Sequence, residues 1–197
     1  MERFYYHGLG DFYPNISLDM ALQIINSGGL KSRNEARKYG DDNYSHVCVY
    51  KKNEEYDYSD IEKLVKSVRG GWIDHCVFFI ISPDIEAKKV IVDDGVGFYE
   101  DGTPYTNLVD EWRTDGNVPL DKIVGIAIPF DSIKEKKERF PYEFDEEFDR
   151  KLKEILDFAL KDGWMVENSD EVNLVDRLDS ELNEKHLESD DKKTSIL

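Results

Sequence analysis

Apolar positions along this chain follow two spacings, and the switches between them divide it into elements. Phe4-Tyr5-Tyr6-His7 is a compact aromatic run closed by Gly8, which reads as a strand over residues 3–7 ending on His-Gly. Leu18, Ala21, Leu22 and Ile25 then share one face of a helix over roughly 18–27. Ser17 is placed to cap its start, and Gly28-Gly29 supplies the positive-φ stop. Ser45 to Tyr50 alternates as a second strand, and Ser59-Asp60-Ile61-Glu62 is a capping box for a helix with Ile61, Leu64, Val65 and Val68 on one face. Trp72 to Ser82 is the longest apolar run, rich in strand formers, and is expected as the central buried strand.

Beyond Pro83 the pattern predicts a strand over Lys88–Asp93 and a Gly- and Tyr-rich loop from Asp94 to Asn107. A strand over Leu108–Arg113, a turn at Thr114–Asn117 and a strand over Lys122–Pro129 follow. A long helix is expected at about 142–162, with Phe144, Phe148, Leu152, Ile155 and Ala159 as its core stripe and Gly163 ending it. Glu167 to Leu197 is acidic and poor in aromatics, a composition that does not bury a core of its own. The order predicts an α+β fold with a mainly antiparallel core and short helices, closed by an acidic C-terminal helix and tail. It divides into a domain over 1–165 and a tail over 166–197. No GxGxxG joins a strand to a helix, which argues against a Rossmann dinucleotide site.

Charge changes the picture more than bulk composition does. The 197 residues carry a formal charge of −17, so a surface of this kind repels phosphate backbones and general nucleic-acid binding is disfavoured. The load is uneven: residues 139–197 hold 18 acidic and 9 basic side chains, whereas residues 1–40 hold 4 and 5. An anionic small molecule therefore has a near-neutral corner around His7. No apolar run reaches the ~18 residues of a membrane span, and the N-terminal residues lack a basic-then-apolar leader pattern, so a cytosolic setting is expected. Cys48 and Cys76 lie in strand-like runs without CxxC spacing and read as reduced core thiols. His46 and His75 near them lack the acidic partners and close spacing of a metal site.

His7-Gly8 places an imidazole beside a backbone with no side chain in the way, where a flat ligand can be held by main-chain N–H and C=O groups. The plainer reading of two residues alone is a half-buried His and a turn glycine. Glu111, flanked by Asp110 and Arg113, follows a loop held over rigid strands. A carboxylate there can stabilise an oxocarbenium-like transition state, or be a solvated surface acid. Lys31, Arg33, Arg37 and Lys38 form the basic group of the first half; Arg33, with a planar fork suited to phosphate, is the candidate for a diphosphate. Tyr39, Tyr44, Tyr50, Tyr99 and Tyr105 are candidate stacking platforms.

Taken in order, Tyr6-His7-Gly8, then Ile24 to Leu30, then Val109-Asp110-Glu111 resemble the ADP-ribosyltransferase superfamily, in its His-Tyr-Glu branch of poly(ADP-ribose) polymerases and diphtheria-type toxins. The resemblance covers roughly residues 3–130. It implies a split, mainly antiparallel β-sheet core and NAD as co-substrate. His7 would bind the adenosine-side ribose, and the Gly8 backbone would pair with the nicotinamide carboxamide. Glu111 would hold the nicotinamide-ribose 2′-hydroxyl and stabilise the oxocarbenium ion. Tyr50, ending the second strand, stands for the middle Tyr. Leu9 departs from the pattern, since Ser or Thr is more usual there in the polymerases.

Two functions compete. The first is an NAD-dependent ADP-ribosyltransferase acting on a macromolecular acceptor, protein rather than nucleic acid, or on water. The second is a non-catalytic acidic interaction or inhibitor protein with a degenerate fold of this kind, its acidic tail engaging a protein partner. A phosphotransfer from RNA to NAD needs a basic surface that this charge does not provide. The first reading requires Glu111 within ~8–10 Å of His7, so that both reach one dinucleotide.

Overall fold

The computed structural model describes residues 4–11, 13–32, 48–52, 74–89, 109–114 and 116–168. The helix expected from Ser59, the loop over 94–107 and everything past 168 lie outside the described residues. The fold is α+β, built on a mixed sheet with helices packed on one face.

The centre is β4 (Asp74–Ile81), laddered antiparallel to β1 (Tyr5–Asp11) on one side and to β8 (Ile123–Ile128) on the other. Cys76 to Ile81 are each no more than 2% exposed, which explains why this stretch shows no polar alternation. Outward from β1 come β3 (Cys48–Lys52), β6 (Val109–Thr114) and β5 (Ala87–Lys89), all antiparallel. Outward from β8 comes β9 (Met165–Asn168), in parallel, so the strand order is β5-β6-β3-β1-β4-β8-β9. A small second sheet pairs β2 (Gly29–Leu30) with β7 (Val118–Pro119).

Alternation along β1 and β4 sorts the core into two faces. Tyr5, Leu9, Val77, Phe79 and Ile81 join the cluster formed with helices α1 (Pro14–Asn26), α2 (Phe130–Arg139) and α3 (Glu146–Lys161). Tyr6, Phe78, Ile80 and Ala127 form the cluster on the opposite face. Helix α3 carries the expected stripe, with Phe148, Leu152, Ile155 and Ala159 buried, and stops at Gly163 with φ +73°.

Four elements differ from expectation. Strand β1 does not end at His-Gly but continues to Asp11, because β4 offers ladder partners over that whole length. Helix α1 begins at Pro14: Pro suits the first helical position, where its missing N–H is no loss, so Ser17 lies inside the helix. Helix α2 was not expected, since its segment is mostly charged and only Phe130 and Ile133 are buried. It separates the long helix from β8, and α3 starts at Glu146, with Asp145 as its cap. Strand β9 crosses the expected 165/166 boundary: the α2–α3 crossover returns the chain parallel to β8.

Phe79→Ala removes a fully buried ring between the helices and the sheet. The expected loss is about 3–5 kcal/mol in urea unfolding. The Asp145 carboxylate accepts from the Phe148 N–H at 3.0 Å, and this bond, with a smaller one from Asn15, holds its pKa below the ordinary carboxylate value. Asp145→Ala is expected to cost about 1 kcal/mol. The contribution tied to this lowered pKa is present above the unfolded-state value (~3.9) and is lost as pH falls through the folded one, so Asp145→Asn flattens that acid limb of the stability profile.

Candidate functional site

His7 and Gly8 lie mid-strand in β1, opposite Phe79 and Phe78, and both are half-buried. The strand is held from the helix side by Ser17, whose buried hydroxyl donates to the Leu9 carbonyl. A register shift between Leu9 and Gly10 lets β1 run on past this point. Helix α1 packs on β1 and β4 and ends at Ser27, whose N–H returns to the Gln23 carbonyl.

Gly28 and Gly29 then turn the chain with φ of +82° and +133°. A Cβ at Gly29 would stand 2.3 Å from the Val118 carbonyl oxygen, so only glycine allows β2 to lie this close to β7. The Ser32 N–H donates to Asn117 Oδ1 at 2.6 Å, and Thr114 Oγ1 donates to the Gly116 carbonyl at 2.6 Å, tightening the turn. The Gly-Gly-Leu segment is thus docked on the turn that follows β6, the strand of Glu111.

The expected site residues are carried by three neighbouring strands. The β1/β3 ladder covers Tyr5↔Lys51 and Tyr6↔Tyr50, while the β1/β4 ladder continues to Asp11. Over the same stretch β3 stays with β6, through Val49↔Trp112 and Cys48↔Arg113. Among the described residues the β1/β3 pairs end at Tyr6, immediately before His7-Gly8, and β3 is described from Cys48 onward. Position 50 is opposite both Tyr6 and Glu111, so Tyr6, Tyr50 and Glu111 occupy one row across the sheet. Two strand spacings of ~4.8 Å separate β1 from β6 by roughly 10 Å.

His7 does not join that row. It alternates with Tyr6 and belongs to the helix face, with Tyr5 and Leu9. Trp112, next in chain to Glu111, also packs on the helix face, its ring edge-on to Tyr5 at 5.7 Å. Gly8 shares the row parity of Tyr6 and leaves the backbone there without a side chain. Arg33 lies outside the described residues. Compared with protein-family models and with curated proteins, the chain matches none.

A polar pair near this corner was not foreseen. Tyr6 Oη donates to both oxygens of Glu167 on β9, at 3.1 and 3.2 Å. Burial, reinforced by the Glu167 charge, pushes the Tyr6 phenol well above its ordinary value and keeps it a neutral donor. No sequence signal joins residues 161 positions apart; only the strand order brings them together. Cys76 is fully buried on β4, and burial raises its thiol to about 12, which makes it inert as a nucleophile. Among the described residues, no group of three His, Cys, Asp or Glu is placed to hold a metal ion. No helix among them is long and apolar enough to cross a membrane.

Ser17→Ala strips the Leu9 carbonyl of the donor that ties α1 to β1 just past Gly8. The expected loss is about 1–3 kcal/mol, read from the urea midpoint at unchanged slope.

Proposed function

We propose that this chain has an ADP-ribosyltransferase-like fold and is an NAD-cleaving transferase acting in the cytosol. The observation that carries this reading is the row of Tyr6, Tyr50 and Glu111 across β1, β3 and β6, beside His7-Gly8. Gly8 adds no side chain to that corner, so a flat carboxamide joined to two riboses and a diphosphate, as in NAD, is the ligand proposed to lie along it.

In the proposed reaction the bond between the nicotinamide nitrogen and C1′ of its ribose breaks, and its electron pair leaves with nicotinamide. The Glu111 carboxylate holds the ribose 2′-hydroxyl and offsets the positive charge that develops on the ring. The Gly8 backbone pairs with the carboxamide, Tyr50 stacks on the nicotinamide, and His7 takes the adenosine-side ribose. The acceptor nucleophile, from a protein in preference to a nucleic acid, or from water, then bonds to C1′ and gives up its proton. Arg33 is the proposed partner of the diphosphate.

The row of His7 favours a second reading. A histidine set on the helix face is the feature expected of a domain that has kept the fold and lost the chemistry, leaving an acidic protein that works by binding.

Nicotinamide release by wild type and by Glu111→Ala separates the two. The transferase is expected to lose at least ~10²-fold in the variant, the size of a lost transition-state contact. His7→Ala is expected to raise KM for NAD more than it lowers kcat, as loss of uniform binding does. No release by wild type, with no rise in Tm on adding NAD, sinks the enzyme and leaves the binding protein.

A further inference from the structure

The sheet face turned away from the helices is apolar around Tyr6, where Phe78, Ile80 and Ala127 are fully buried. The Tyr6–Glu167 bond interrupts it, with the Tyr6 side chain only 3% exposed. A partly buried polar pair of this kind adds little stability over apolar side chains of the same size, but it fixes geometry that apolar contacts leave loose.

Its place in the sheet gives that geometry a use. Glu167 is opposite Ala127 on β9, and the order β1-β4-β8-β9 makes the bond span one half of the sheet, from its far strand to β1. Strand β3 lies on the other side of β1. The Tyr6 phenol is therefore drawn toward β9 and away from β3. Among the described residues Tyr6 is also the last β1 residue paired with β3, immediately before His7-Gly8 and in one row with Tyr50 and Glu111.

We infer that Tyr6 and Glu167 are a positioning pair for the proposed NAD site, an inference that rests on the reading above. The pair holds the β1 backbone at His7-Gly8 against β4, β8 and β9 and fixes the Tyr6 ring toward β9. Neither side chain needs to touch the ligand; both act through the backbone.

The test is the double variant Tyr6→Phe/Glu167→Leu, which replaces both partners by apolar groups, beside Glu167→Gln, which keeps an acceptor for the phenol. Three readouts are taken on the full chain: Tm, steady-state nicotinamide release from NAD, and amide hydrogen exchange at His7, Gly8 and Leu9. The double variant is expected to keep Tm within ~3 °C of wild type. Its kcat/KM for NAD falls at least ~10-fold, as small misplacements of a binding backbone do, and exchange quickens at His7 to Leu9 only. Glu167→Gln stays close to wild type in all three.

Wild-type release rates in the double variant overturn the inference and leave the NAD reading standing. So does a large fall in Tm with exchange rising across the whole sheet, which makes the pair an ordinary structural contact. Wild-type protein that releases no nicotinamide overturns the NAD reading itself, and this role of the pair with it.

Discussion

Everything described in this molecule leans on the burial of β4 from Cys76 to Ile81. A strand covered on both faces must satisfy its backbone through its neighbours, so β1 and β8 are drawn to its two edges, and it must present apolar side chains both ways. Val77, Phe79 and Ile81 take the helices, while Phe78 and Ile80 take the opposite face. β1 is bound to β4 from Tyr5 to Asp11, with a register shift between Leu9 and Gly10, and this ladder carries the strand past His7-Gly8.

The helical layer supplies the opposing constraint. Helix α3 is tied to α1 by Lys151, which reaches Asp19 at 2.7 Å and Glu147 at 2.9 Å. Burial works against the charge of Lys151, but the hydrogen bonds it donates to the two carboxylates outweigh it and raise its pKa. Lys137 of α2 reaches the buried Asp149 of α3 at 2.8 Å. These pairs give geometry more than energy, since desolvation offsets much of their attraction. They make the three helices one slab, and Ser17 hooks that slab to β1 at Leu9. On either side of His7-Gly8, β1 is thus bonded to the helix face through Leu9 and Ser17 and to β9 through Tyr6 and Glu167.

The proposed site draws on main chain as much as side chains. Gly29 acts by having no Cβ, which lets β2 press against β7. The carboxylate of the proposed chemistry stands on a different strand, held in register by β3. In the proposed reading, chemistry and grip fall to different residues, and a change in Tyr6 or Glu167 is felt at the site through the backbone.

Much of this was legible in the chain alone. The run through Val77-Phe78-Phe79-Ile80-Ile81 named the central strand because burial on both faces removes alternation. The stripe from Phe148 to Ala159 named α3, and Gly28-Gly29 and Gly163 marked helix ends, because these are local patterns with local causes. Three features were decided otherwise. Helix α2 escaped notice because its contribution to the core is two residues, too few to show a period. Helix α1 starts at Pro14 and not after Ser17, because proline's missing N–H costs nothing at the first helical position and Ser17 faces β1 from inside the helix. The Tyr6–Glu167 pair, and the row joining Tyr6, Tyr50 and Glu111, depend on strand order and register. Sequence periodicity determines which face a residue takes within its own strand; which strand lies beside it is settled only when the core closes.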